Sequence, residues 1–445
     1  MAERLFGTDG VRGVAGTYPL DPPTIDRLGA AVVRTLGLDR PARLIIGRDT
    51  RESGEWIARE LARGATGEGA SVTNAGVMPT PGIAFLARAL GHDLGVVLSA
   101  SHNPYTDNGI KVFSGLGEKF GETKERAVEV MMADAGWHPA ARDQVTMTTG
   151  EFVRPYLDHV RRLWPSAGAL DGARVAVDMA NGATTATALR LFAELGLDVV
   201  PLGDRPDGRN INLACGSTHP ARMAGEVVSS GCRLGVAFDG DGDRAIFADH
   251  RGHIVDGDAV LLLLGVYYKE RQRLPRDTIV ATVMSNIGLE LALRRHGIAL
   301  VRTPVGDKYV MDELLRGGYA LGGEQSGHVI LTEHLPTGDG MATALAVLRV
   351  MAETGKDLAD LTADLVTYPQ TLVNVRVREK KPVESVPEIR AAIARVEAAL
   401  SGHGRVLVRY SGTEPLLRVM IEGEDQASVQ AWAEEIAEAI RSTLG

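Results

Sequence analysis

The sequence predicts an α/β protein, with three related α/β domains built on mixed sheets and a smaller C-terminal α+β domain. Two observations carry that expectation. Short β-rich runs alternate with stretches of helical apolar spacing along most of the 445 residues, and such alternation builds parallel or mixed sheets covered by helices. The chain is also longer than one hydrophobic core ordinarily serves, so several domains are expected.

Taken in order, 44–46, 71–73 and 94–98 read as strands, with helices over 55–66 and 82–90 between them. A helix over 151–163 ends at Trp164-Pro165, and the stretch 168–172 reads as a linker. Strands follow at 174–177, 234–238 and 278–283, and a helix over 286–296 has Asn286 as N-cap and Gly297 as stop. A fresh alternating strand at 371–377 opens the last segment, which closes on an amphipathic helix capped by Asp425. That helix carries Val429, Trp432, Ile436 and Ile440 on one stripe, read as core. The expected domains are 1–150, 151–250, 251–366 and 367–445.

Composition narrows the function. The formal net charge of −9 argues against broad nucleic-acid binding, which needs a basic face. The longest apolar run, 259–268, is too short to span a bilayer, and the first residues carry no apolar signal core. Two cysteines, Cys215 and Cys232, give neither a disulfide framework nor a thiolate metal motif. These features point to the cytoplasm and to a small-molecule substrate, with no membrane or nucleic-acid partner.

The densest chemical signal is Asp239-Gly240-Asp241-Gly242-Asp243-Arg244, directly after the strand 234–238. Three carboxylates within five residues repel one another unless a cation lies between them. Alternate side chains of an extended segment share a face, so the three are expected to converge at the strand end. Hard oxygen donors suit Mg²⁺ first and Mn²⁺ next. An EF-hand would need Gly and Glu where Arg244 and His250 stand, and a plain solvated turn is the other alternative.

Further motifs surround this one. Ser99-Ala100-Ser101-His102-Asn103-Pro104 follows the strand 94–98, where a serine can project into a cleft. Lys111 can bring charge or a proton to a transferring phosphoryl group, or remain a surface lysine. In Gly323-Glu324-Gln325-Ser326-Gly327-His328, Glu324 can accept from vicinal sugar hydroxyls while Ser326 and His328 donate or accept. Arg409, Ser411, Gly412, Thr413 and Arg418 make a phosphate cradle between two strands, unless the arginines only pair with carboxylates. Near the start, the glycine-rich loop 7–13 brings the Arg12 guanidinium to an anion. No Walker loop or dinucleotide fingerprint is present.

The five motifs, at 7–13, 99–104, 239–244, 323–328 and 411–415, resemble in wording and order those of the α-D-phosphohexomutase superfamily, and the likeness runs over the whole chain. The resemblance implies four domains around a central cleft, each giving one loop. It implies that Ser101 carries a phosphate and that Asp239, Asp241 and Asp243 hold one Mg²⁺ per chain, with a phosphate oxygen on Ser101 as a further ligand. Glu324 and Ser326 would read the sugar, and the 409–418 cradle would grip the phosphate that does not react. Arg244 would offset charge beside the metal, and Lys111, His102 and His328 are candidates for moving the sugar proton. The implied reaction interconverts glucosamine 6-phosphate and glucosamine 1-phosphate, with a hexose bisphosphate as activator. Mannose or glucose phosphates are the alternative substrates, and a sugar-phosphate binding protein without turnover is the non-enzymatic one. A homodimer is compatible with the resemblance.

Overall fold

The computed structural model describes residues 4–7, 9–140, 145–164, 170–411 and 415–445. The first segment runs β1 (Val11–Val14), α1 (Pro22–Arg34), β2 (Arg43–Arg48), α2 (Gly54–Gly67), β3 (Ser71–Val77), α3 (Thr80–Ala89), β4 (Leu94–Leu98), β5 (Asp107–Ser114), α4 (Glu122–Ala133), β6 (Met147–Thr149) and α5 (Val153–Arg161). The second runs β7 (Arg174–Asp178), α6 (Ala188–Glu194), β8 (Asp198–Leu202), α7 (Ala221–Ser229), β9 (Leu234–Phe238), β10 (Ala245–Asp249) and β11 (Ile254–Val255). The third runs α8 (Gly257–Glu270), β12 (Thr278–Thr282), α9 (Ile287–Arg295), β13 (Ala299–Thr303), α10 (Asp307–Gly317), β14 (Leu321–Gly323), β15 (Val329–Leu331), α11 (Gly340–Thr354) and α12 (Leu358–Leu361). The last comprises β16 (Gln370–Arg376), α13 (Pro387–Leu400), β17 (Arg405–Tyr410), β18 (Leu416–Glu422) and α14 (Gln426–Leu444).

The first three sheets repeat one pattern. Their strand orders contain β5-β4-β2-β3, β10-β9-β7-β8 and β15-β14-β12-β13. In each, three strands run parallel and the next doubles back antiparallel on the innermost neighbour, as β4 to β5, β9 to β10 and β14 to β15. The strands before these reversals, β4, β9 and β14, are buried throughout, as expected where both faces of a sheet are covered. Each reversal therefore exposes a loop at the carboxyl end of a buried strand, the place where α/β folds present chemistry.

By compactness the chain forms two units, 1–284 with 298–363, and 285–297 with 364–445. The second unit is an antiparallel sheet, β16-β18-β17, with a core of Ile389, Leu417, Val419, Ile421, Val429, Ile436 and Ile440. Trp432, expected as core, packs only partly buried at its rim. Helix α9 joins this unit, with the Ile287 amide donating to Glu422 Oε2 at 3.0 Å and Asn286 Nδ2 to the Tyr368 carbonyl at 3.0 Å.

Helix starts follow the cap chemistry of the sequence. Asp21, Asp256, Asn286, Asp339 and Asp425 each accept an amide of the first turn, an interaction worth about 1 kcal/mol apiece. Asp339 also accepts from the buried Tyr156 hydroxyl at 3.0 Å and lies 3.2 Å from His334 Nε2, so one cap fastens α5 and the 334–339 loop to α11. Among the described residues no helix is long and apolar enough to cross a membrane.

Beside that cap, the rings of Phe85, His159 and His334 form a stack, with centroids 4.2 and 4.1 Å apart. Both ring nitrogens of His159 are buried without a hydrogen-bond partner. Burial, reinforced by His334, pushes the His159 imidazole down to about 4. The native state thus prefers neutral His159, while the unfolded chain takes the proton near its ordinary value of about 6.5. Stability from this group is complete above pH ~6.5 and is lost as pH falls toward the native value. Thermal melts at pH 7 and pH 5 are expected to show a drop of several degrees. His159→Phe keeps the stack but cannot be protonated, and it should lose less. Equal losses in both proteins would show that the acid sensitivity lies elsewhere.

Candidate active site

Ser101 lies just past β4 with φ of 51°, a left-handed conformation that costs energy for a residue with a Cβ. A buried network holds it there. Its carbonyl accepts from Arg51 Nη2 and from Asn212 Nδ2, each at 2.9 Å, and its amide donates to Ser99 Oγ at 2.9 Å. Ser99 Oγ donates to Asp49 Oδ2 at 2.6 Å, and Arg51 Nε donates to the same oxygen at 2.8 Å. The acidic loop meets Ser101 at Gly240, where a Cβ would stand 2.5 Å from the Ser101 carbonyl oxygen, so only glycine permits the approach.

Asp239, Asp241 and Asp243 do converge, but not by the pleat of an extended segment. Phe238 on β9 pairs with Ala245 on β10, so the run is a hairpin connection, and Gly242 turns it at φ of 74°. The turn brings one carboxylate oxygen of each aspartate within 4.8 Å of the others, all buried. Ser101 Oγ donates to Asp239 Oδ2 at 2.5 Å. Burial, added to the charges of Asp243 and Asp241, pushes the Asp239 carboxyl well above the usual carboxylate range.

Lys111 faces the other two carboxylates. Lys111 Nζ is 2.7 Å from Asp241, 2.9 Å from Asp9 and 3.4 Å from Asp243. Burial opposes its charge, but these carboxylates raise the ammonium well above the usual lysine range. Burial likewise opposes ionisation of Asp243, yet Lys111 and then His328 hold it well below its ordinary value. His328 is raised against its burial by Asp243 and Asp307, whose oxygens lie 3.6 and 3.5 Å from its ring nitrogens. His102 is lowered, by burial and then by Arg244 and Arg12. Its Nδ1 lies 3.3 Å from Ser101 Oγ and 3.2 Å from Arg244 Nη1. Asp241 Oδ1 and Asp243 Oδ1 are buried without a hydrogen-bond donor. Two open oxygens in a set of hard donors fit a divalent cation.

The other expected residues divide between the two units. Arg12, expected in a loop, is on β1 opposite Gly109, and its guanidinium reaches the Ala100 carbonyl at 3.4 Å. Glu324 and Ser326 follow β14 and line a cavity of about 480 Å³ with Arg244, Asp256, Thr282 and Gln325. In the second unit Arg409 and Arg418 stand directly opposite each other on β17 and β18. Burial and then Arg418 lower the Arg409 guanidinium from its ordinary value. The Ser411 amide donates to the Leu416 carbonyl at 2.8 Å. Gly412 and Thr413 lie outside the described residues. Tyr410, to which the sequence assigns no role, anchors the 381 segment through its hydroxyl, which donates to the Lys381 carbonyl at 2.6 Å. This sets Lys380 Nζ 2.8 Å from the Ser411 carbonyl.

Several residues at the site went unread in the sequence. Asp9 bridges Lys111 and Lys119, Lys119 also pairs with Asp307, and Thr80 Oγ1 donates to Asp241 at 2.5 Å. Asp49 and Arg51 follow β2 directly, so their strand-end position was a usable signal. Asp9 lies inside the glycine-rich opening motif. Lys119 and Asp307 have no local signature, because their partners are distant in the chain.

Fold and site define an α/β enzyme in which a serine hydroxyl is set against an acidic loop able to hold a divalent cation. Four family descriptions match successive stretches: Phosphoglucomutase/phosphomannomutase alpha/beta/alpha domain I over 3–137, domain II over 154–252 and domain III over 256–368, and the C-terminal domain over 372–439. The chain belongs to the phosphoglucomutase/phosphomannomutase family and is an isomerase. It is 50% identical to a phosphoglucosamine mutase of Solibacter usitatus and 46% identical to one of Anaeromyxobacter dehalogenans, each alignment covering 100% of both chains. Among solved structures it resembles a family protein of Burkholderia thailandensis, with TM-score 0.81 at 23% identity over 99% of this chain and 98% of that one.

Lys111 supplies a test of the charge balance. Removing one partner from a buried ionic cluster costs about 3–5 kcal/mol. Lys111→Met in buffer containing a chelator is expected to melt well below the parent, with divalent cation restoring part of the loss. An unchanged melting temperature in both buffers would refute the balance described.

Proposed function

We propose that this chain interconverts glucosamine 6-phosphate and glucosamine 1-phosphate through a phosphorylated Ser101 and a bisphosphorylated sugar. The observation that carries the reading is Ser101 Oγ at 2.5 Å from Asp239, inside the carboxylate trio. The full-length relatives named phosphoglucosamine mutase support the choice of sugar.

In the first half-reaction the sugar hydroxyl oxygen bonds to phosphorus while the P–Oγ bond of Ser101 breaks. The hydroxyl proton leaves, and Ser101 Oγ regains one. After the sugar turns over, Oγ gives up its proton and bonds to the other phosphorus, the P–O bond to the sugar breaks, the freed sugar oxygen takes up a proton, and the isomeric monophosphate departs. Mg²⁺, one per chain on Asp239, Asp241, Asp243 and an oxygen of the Ser101 phosphate, would supply Lewis-acid neutralisation of the phosphoryl charge.

The chain's own groups do the rest. Lys111, held charged by its carboxylates, and Arg244 offset the charge that develops on the moving phosphoryl group. His102, within 3.3 Å of Ser101 Oγ, stands where a proton can pass, and His328 and Lys111 are the other proton-carrying candidates. Arg12 helps hold the reacting phosphate beside the serine loop. Glu324 and Ser326 bind sugar hydroxyls, and Arg409, Ser411, Gly412, Thr413 and Arg418 hold the phosphate that does not react. The protein is taken to be cytoplasmic, with a hexose bisphosphate as activator. A homodimer is the proposed assembly.

Incubation with glucose 1,6-bisphosphate should add one phosphate to the intact mass, located at residue 101. Ser101→Ala should gain none and lose at least a thousandfold in kcat. Chelation should abolish turnover, and Mg²⁺ should restore it. Full mutase activity in Ser101→Ala with bisphosphate present would overturn the mechanism.

A further inference from the structure

The 480 Å³ cavity beside Arg244 contains a carboxylate that the reaction scheme leaves unused. Asp256 caps α8, its Oδ1 accepting from the Ala259 amide at 3.2 Å. Its Oδ2 accepts from Gln325 Nε2 at 3.1 Å. No cationic side chain among the described residues pairs with it. Burial raises the Asp256 carboxyl above its ordinary value, as expected for a partly buried anion lacking a counter-ion.

The position of this carboxylate is fixed from two sides. The Gly257 amide donates to the Gln325 carbonyl at 2.9 Å, and a Cβ on Gly257 would stand 2.0 Å from the Glu324 carbonyl oxygen. The 323–328 loop is thereby seated on the first turn of α8, with Asp256 and Gln325 side by side and Glu324 next along the same wall. The four lone-pair sites of the Asp256 carboxylate exceed the side-chain and cap bonds it accepts, and Gln325, whose amide nitrogen already donates to Asp256, keeps its carbonyl oxygen.

We propose that Asp256, oriented by Gln325, determines specificity by binding the 2-ammonium group of the amino sugar. The inference rests on the glucosamine-phosphate reading above and names what would select that sugar. A carboxylate beside an amide oxygen, with a net negative charge, suits a group with three N–H donors and a positive charge. A 2-hydroxyl offers one donor and no charge, so it gains less from the same wall. A site built to hydrogen-bond a substrate group discriminates strongly against an analogue without it.

The test is a ratio of kcat/KM values for glucosamine 6-phosphate and glucose 6-phosphate, with Mg²⁺ and glucose 1,6-bisphosphate present. Asp256→Asn keeps the shape and the helix cap but removes the charge. It is expected to lower kcat/KM for glucosamine 6-phosphate at least tenfold while the glucose value changes by less than about threefold. Gln325→Met, which leaves Asp256 and the cap in place, should shift the ratio the same way by a smaller factor. A ratio unchanged in both variants, or equal losses on both sugars, overturns the inference and leaves the mutase reading standing. A parent enzyme without preference for glucosamine 6-phosphate overturns the substrate reading and this inference together.

Discussion

Like charge held at close range is the constraint around which this site is organised. Two carboxylate charges 4.8 Å apart repel by about 3 kcal/mol at an effective dielectric of about 20, and three aspartates make three such pairs. The chain meets this in two ways. Fixed cations are brought in by the first segment, with Lys111 touching Asp241, Asp243 and Asp9. Two buried oxygens, Asp241 Oδ1 and Asp243 Oδ1, accept no hydrogen bond and so remain available as hard donors to a divalent ion. Asp239, which has no lysine against it, carries the raised carboxyl and receives the Ser101 hydroxyl instead. The trio is thus divided by its partners: two members face a fixed ammonium, and the third faces the Ser101 hydroxyl.

The backbone delivers these groups by one device used three times. A buried strand ends, the chain reverses into an antiparallel neighbour, and the reversal carries the chemistry: 99–106 after β4, 239–244 after β9, 324–328 after β14. Strands buried on both faces are rigid supports, and short reversals from them allow little play. The cost appears at Ser101, whose left-handed backbone persists because Arg51, Asn212 and Ser99 over-determine it. The strained residue is the one whose side-chain oxygen donates to Asp239.

Much of this was legible in the sequence because the signals were local. Strand 234–238 was readable from its short apolar run, and helix α9 from Asn286 and Gly297. The acidic run declared itself through repulsion alone. Its geometry was misread because a period-two argument needs extended backbone, and glycines at 240 and 242 supply a turn instead. Arg12 was read as a loop residue because the short β1 has three glycines around it, while its pairing partner β5 begins nearly a hundred residues later. Lys119 and Asp307 were invisible for the same reason: each is an ordinary charged residue until folding puts it beside the other. Trp432 fitted the helical stripe, but the stripe's edge is a rim when the sheet beneath has only three strands.

The same physics separates reaction from selection. The transferring phosphoryl group is common to every sugar phosphate, so groups that act on it, as proposed for the trio, Lys111 and Arg244, cannot distinguish one sugar from another. Discrimination has to come from a wall that touches the ring away from phosphorus, and the wall proposed for it is the seam between α8 and the 323–328 loop. A bisphosphate that turns over presents its ring in two orientations. A carboxylate fixed in one wall meets the C2 nitrogen in only one of them, whereas hydroxyl acceptors such as Glu324 can serve both. The charge recognition proposed for Asp256 would therefore stabilise one bound orientation over the other. Its strength must stay moderate, because an ammonium held too tightly would stop the sugar from turning.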